Sequence, residues 1–208
     1  MTARSGERVV TGRRRRWWIG GAALVGVVGG VLALVLLRPG PVLLDPDEFV
    51  GVTRVEQNSH VPPPGWTGCD LSVGPWMSVS SPDTDTALEL GPHGRAGAAI
   101  VVQPSWSPRS APEQIEHLSM LGEQCAAGNS VSSGRFAIEP LDGLAPGEVG
   151  WRTRYEEPLE WGEYVVVALD EKRLLAVGFE TTEEEPPVDM EHLVERAKQG
   201  AEQFPAGG

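Results

Sequence analysis

The side chains of this 208-residue chain best suited to chemistry are four His, two Cys and 29 Asp and Glu. His60, His93, His117 and His192 are the candidate metal ligands or proton carriers. Glu113 and His117 stand four residues apart, and Asp189 and His192 three apart, so each pair shares a helix face and could offer two metal positions. A zinc site needs three or four ligands with a supporting shell. No H-E-x-x-H sequence supplies them. Both pairs also fall away from the apolar stripes of their helices, where side chains are usually solvated. Ser132-Ser133-Gly134 resembles a nucleophile turn, but neither G-x-S-x-G nor a G-x-x-x-x-G-K phosphate loop occurs. Asp83 with Asp85, and Glu183 to Glu185, could give oxygen ligands to a divalent cation, yet neither has calcium-loop spacing. The pairs Glu156/Glu157 and Glu160/Glu163 leave an envelope hydrolase as an alternative, since two carboxylates can cleave a glycoside. The expectation is that no residue is catalytic, no metal is bound and no cofactor is needed.

Tryptophans carry a binding signal instead. Trp66, Trp76, Trp106, Trp151 and Trp161 follow the first 38 residues, and all but Trp151 sit beside turn-forming Pro or Gly. A large ring on a turn can stack on a sugar or a partner protein, or plug the end of a small sandwich. Trp106 and Trp161 are the candidate exposed anchors. Trp151 alternates with charged neighbours and belongs to the core.

The elements that must position these residues begin with an unusual amino terminus. Residues 17–37 contain no charge, and as a helix they would reach about 32 Å, enough to cross a bilayer core. Arg4, Arg8 and four Arg at 13–16 precede this run, and Arg38 follows it. The positive-inside rule places the amino terminus in the cytoplasm and the remainder outside. A cleaved signal peptide is the competing reading, but the apolar run is long and no A-x-A-like site follows. Ala22, Gly26 and Gly30 fall on one helix face. Such a stripe lets two membrane helices pair as a homodimer, and it also arises from plain Gly and Ala richness.

Charge divides at the same place. Residues 39–208 hold 28 acidic and 10 basic side chains, a net charge of −18. So acidic a domain is a poor nucleic-acid binder. The expected partners are the membrane and an envelope protein or glycan. Cys69 and Cys125, both outside, are expected to form a disulfide around 55 intervening residues, worth about 4 kcal/mol.

The expected organisation is a cytoplasmic tail (1–16), a membrane helix (17–37), a juxtamembrane linker with a short helix (38–65), an α+β domain (66–204) and a tail (205–208). Strands are expected at 66–73, 76–80, 87–90, 98–103, from 151, at 164–169 and at 173–181. Asp170-Glu171-Lys172 forms a hairpin turn. Helices are expected at 112–125 and 188–203, with apolar stripes through Ile115, Leu118, Gly122 and Cys125, and through Leu193, Val194 and Ala197. The fold class is α+β, an antiparallel sheet with both amphipathic helices on one face, behind a transmembrane helix.

A helix ending LSMLGEQC, then the strand run WRTRYEEPLEWGEYVVVALDEKRLLAVGFET, then a closing amphipathic helix resembles a group of actinobacterial-type envelope domains. These are the kinase-linked extracellular sensor domains and the LpqN-like lipoproteins. The resemblance spans residues 66–204 and lies in element order. It implies a PsbP-like sandwich and a ligand- or partner-binding role, sensor-like or accessory. Kinase-linked members carry two disulfides where this chain can form one. A structural subunit of a membrane complex is a further alternative.

Overall fold

The computed structural model describes residues 41–58, 84–128, 136–156 and 159–204. Seven strands form one antiparallel sheet in the order β1-β2-β3-β7-β6-β5-β4. The strands are β1 (Val52–Gln57), β2 (Thr84–Leu90), β3 (Gly94–Val102), β4 (Phe136–Pro140), β5 (Glu148–Glu156), β6 (Leu159–Ala168) and β7 (Arg173–Thr181). Helix α1 (Ala111–Gly128) joins β3 to β4, and helix α2 (Met190–Ala201) follows β7.

The sheet's middle explains the architecture. Leu174, Leu175, Ala176 and Val177 on β7, and Tyr164, Val165 and Val166 on β6, have no exposed surface. Successive strand residues point to opposite faces, so both faces must be covered here. One cluster joins Val165, Leu175, Val177 and Phe179 to Leu193, Val194 and Ala197 of α2. The other joins Tyr164, Val166, Leu174 and Ala176 to Ala111, Ile115 and Leu118 of α1. The helices therefore lie on opposite faces.

This corrects the expected fold class. The expected composite was a membrane helix followed by a sheet with both helices on one face. The described residues form a seven-stranded sheet between two helices, and none of their helices is long and apolar enough to cross a membrane. Residues 17–37, with Ala22, Gly26 and Gly30, lie outside the described residues. So do Cys69 and the strands expected at 66–73 and 76–80.

The domain also starts earlier than expected. Residues 41 to 57 were expected within the linker, but Leu43, Leu44 and Phe49 belong to the α2-side core. Asp45 caps only a three-residue 3-10 turn, Pro46–Glu48. β1 follows and pairs with β2. The Leu43 N–H donates to Thr86 Oγ1 at 3.4 Å, and Arg196 of α2 pairs with Glu48 at 3.0 Å. Two apolar residues followed by polar punctuation carry little periodicity, so the segment reads as a linker until its contacts are known.

β4 lies where no strand was expected, and β2, β5 and β6 begin earlier than expected, while other expectations agree with the structure. Trp151 is buried, and Gly122 on the α1 stripe leaves the space its indole fills. Asp170 closes the β6–β7 hairpin by accepting from the N–H groups of Lys172 and Arg173 and from the Arg173 guanidinium. Burial works to raise its carboxyl, but these bonds together outweigh it and hold the group below the ordinary aspartate range.

A Cβ on Gly200 would overlap the Leu43 backbone. Gly200→Ala should therefore lower stability by about 1–3 kcal/mol, read by urea unfolding. A stabilised variant, as expected when Ala replaces Gly in an unhindered helix, would show that residues 41–49 do not pack on α2.

Candidate functional site

Among the described residues the acid–histidine pairs gain no third metal ligand. Ser110 and Glu113 form a reciprocal capping box on α1. The Ser110 N–H donates to Glu113 Oε2 at 2.7 Å, and the Glu113 N–H donates to Ser110 Oγ at 3.5 Å. The bond from the Ser110 N–H foremost, and then the Ser110 hydroxyl donating to Glu113 Oε2 at 3.1 Å, hold the Glu113 carboxyl below its ordinary range. His117 is lowered by burial and by the charge of Arg109. On α2, Asp189 caps the helix by accepting from the His192 N–H at 2.9 Å, while the His192 ring meets Phe49 edge-on at 5.7 Å. His93 stands 3.8 Å from Glu183 near the sheet's end. No group of three His, Cys, Asp or Glu able to hold a metal ion occurs among the described residues. Glu160 and Glu163 differ by an odd number along β6 and face opposite sides of the sheet, so they share no cleft. His60, Ser132 and Ser133 lie outside the described residues, as do Trp66 and Trp76.

The two tryptophan candidates part company. Trp106 is 67% exposed on the loop after β3. Trp161 is partly buried, meets Phe179 edge-on at 5.3 Å, and donates its indole N–H to the Glu183 carbonyl at 2.6 Å. In the sheet Trp161 lies opposite Thr181, itself opposite Gly94, whereas Trp106 lies beyond the other end of β3. The eight steps along the nine-residue β3 set these ends roughly 27 Å apart. They do not form one site.

A different feature has the form of a binding site. Seven strands span about 29 Å across, while a helix with its side chains is about 10–12 Å wide. On the α2 face, residues 41–49 and α2 take the side nearer β1 and leave β5 partly open. The loop at 141–147 folds up as a far wall. Its Leu141 N–H donates to the Gly150 carbonyl at 2.9 Å, and Gly147 accepts from the Ala168 N–H at 3.0 Å. Gly143 and Gly147 sit at φ +78° and +85°, where a side chain would be strained. Between loop and helix runs an open groove of about 610 Å³. Leu141, Leu144, Val165, Met190 and Val194 supply its apolar surface. Gly150 lies below, where a Cβ would crowd Leu141 and the Tyr164 carbonyl.

One ion pair ties the walls together and a second lies on the sheet between them. Glu148, whose side chain is only 8% exposed, accepts from Lys198 of α2 and from the Ala145 N–H of the loop at 3.1 Å, so one carboxylate joins both walls. Arg152 and Glu163 are direct cross-strand partners, with Arg152 Nε 2.9 Å from Glu163 Oε1. Arg152 also lies 6.0 Å over the Trp161 ring, within cation–π range. Trp161 thus borders the groove through Arg152, as a positioning residue. Asp142-Gly143 and Pro146-Gly147 are turn signals that would have located the loop in the sequence. Nothing in the sequence marks Glu148 as the link between its walls.

Neither a scan against protein-family models nor a search of curated proteins returns a match to this chain.

Trp106→Ala should leave the melting temperature nearly unchanged. Trp161→Ala should lower stability by about 2 kcal/mol through lost packing and the lost indole hydrogen bond. Thermal melts of the two variants decide this, and equal melting temperatures would contradict the assignment of Trp161 to the packed structure.

Proposed function

We propose that the chain is an extracytoplasmic binding module of a cell envelope, held at a membrane by its amino-terminal segment. It captures a protein or glycan partner and catalyses no reaction. The observation that carries this reading is the groove between α2 and the loop at 141–147, apolar within and flanked by fixed ion pairs. Sites that hold ligands commonly combine an apolar lining with a few placed polar groups, in volumes of roughly 300–1,000 Å³. Of the groove's charged side chains, Glu148 and Lys198 hold its walls together, and Arg152 and Glu163 pair with each other on the sheet. No nucleophile beside a base is found among them. The location rests on the basic and then apolar start of the chain and on the acidic remainder. The resemblance in element order to sensor-like and LpqN-like envelope domains agrees with this role.

A photoreactive benzoylphenylalanine at Ala145 tests the site. Ala145 is exposed on the groove's loop wall. Irradiated in native membranes, the full chain should form a discrete adduct from this position. The same probe at Val50, 96% exposed near the β1 edge, should form none. Adducts of equal yield from both positions would place binding elsewhere.

The location also predicts the Cys69–Cys125 bridge. Cys125 is half-buried on α1 and is not a free thiol. In unfolded, non-reduced protein neither cysteine should take up maleimide. Reduction should lower stability by about 2–4 kcal/mol. Two labelled thiols in freshly isolated protein would refute both the bridge and the oxidising location.

A further inference from the structure

Charge and shape of the groove define the class of partner that fits it. Five carboxylates and two cations line it. Both cations are engaged internally, Arg152 with Glu163 and Lys198 with Glu148. Asp142, Glu191 and Glu195 remain, exposed to solvent, and no ion pair reaches them among the described residues. Glu195 accepts a neutral hydrogen bond from Gln199. Asp142 stands on the loop wall. Glu191 and Glu195 stand one turn apart on the helix wall, about 6 Å along its axis. Apolar Leu144 on the loop wall, Met190 and Val194 on the helix wall and Val165 of the sheet between them line the groove.

An occupant must therefore offer positive charge toward both walls and apolar groups to the middle. The surroundings reinforce this requirement. With a net charge of −18 over residues 39–208, the domain repels nucleic acid, phosphorylated lipids and anionic glycans, and draws in cations. A small cation satisfies the walls and wastes the apolar lining. A neutral sugar leaves the three carboxylates unanswered. An extended peptide meets both needs, because one set of alternate side chains can turn down onto the apolar lining while the other set, long and flexible Arg or Lys, turns outward and reaches the rim of either wall. We infer that the groove takes a short segment of a partner protein in which Arg or Lys alternates with aliphatic residues. The inference rests on the groove being the binding site and names the chemistry of its occupant.

The test uses the full chain in phosphatidylcholine nanodiscs, with empty nanodiscs subtracted. Three labelled octapeptides serve as probes: alternating Arg and Leu, alternating Arg and Ser, and alternating Glu and Leu. The Arg–Leu peptide should bind at least about tenfold more tightly than either other probe. The triple variant Asp142→Asn, Glu191→Gln, Glu195→Gln should weaken it by about tenfold or more and flatten its salt dependence, with the melting temperature unchanged. The control Glu183→Gln, Glu184→Gln, Glu185→Gln removes the same charge elsewhere and should leave affinity within about twofold. Equal weakening by both triple variants would reduce the effect to diffuse charge and overturn the inference. Preference for the Glu–Leu peptide, or no binding sensitive to the groove variant, would overturn it as well. If the Ala145 photoadduct persists while the Arg–Leu peptide fails, the partner class is wrong and the binding-module reading stands. If the adduct is absent too, both fail.

Discussion

Two-sided burial of β6 and β7 is the constraint on which the rest of the structure depends. Consecutive residues from Leu174 to Val177 have no exposed surface, so neither face of the central strands can meet water. An antiparallel sheet commonly keeps one face solvated. Here each face must receive its own cover, and the chain has two helices to provide it. α1 takes the face of Tyr164 and Trp151, and α2 takes the face of Val165 and Phe179. Ordering follows from connection. The β3–α1–β4 link carries the chain from the middle of the sheet to its far edge, and a meander of four strands brings it back beside β3.

The groove is a consequence of that division. One helix per face cannot cover seven strands. On the α2 side, Leu43, Leu44 and Phe49 fill the space nearer β1, which leaves β5 to a loop. Glu148 then serves as the joint, since one buried carboxylate accepts from the loop backbone and from Lys198 on the helix. Removing a partner from such a pair leaves charge poorly compensated, a cost of up to about 3–5 kcal/mol when both groups are buried. Lys198 is 39% exposed, so solvent screens part of that cost. The pair's main effect is geometric, because it fixes the separation of two walls that share no strand pairing.

Much of the sheet and both helices were legible in the sequence, for physical reasons. Alternation along Trp151, Thr153 and Tyr155, and the stripes through Ile115 and Leu118 and through Leu193 and Ala197, are strong periodic signals. The placement of the helices was misread although its sign was present. Leu174 and Ala176 on one side of β7, and Leu175 and Val177 on the other, are all apolar, which marks a strand covered on both faces. The Ser110–Glu113 capping box was also readable, and it accounts for a carboxylate otherwise offered as a metal ligand. The segment 41–57 was not readable, because its place in the core depends on contacts with Thr86 and Gly200 far along the chain. Of the site, the turn glycines at 143 and 147 were visible. The Glu148–Lys198 link, across 50 residues, was not.

Amide hydrogen exchange of the full chain, with and without a solubilised extract of its native membranes, tests the central claim most directly. That claim is that binding occurs where the sheet's second face is left open. Protection should rise in residues 141–147 and 190–198, the two walls, and stay unchanged in β1 and in the loop carrying Trp106. Protection confined to β1 or to the Trp106 loop, with the walls unaffected, would contradict the account.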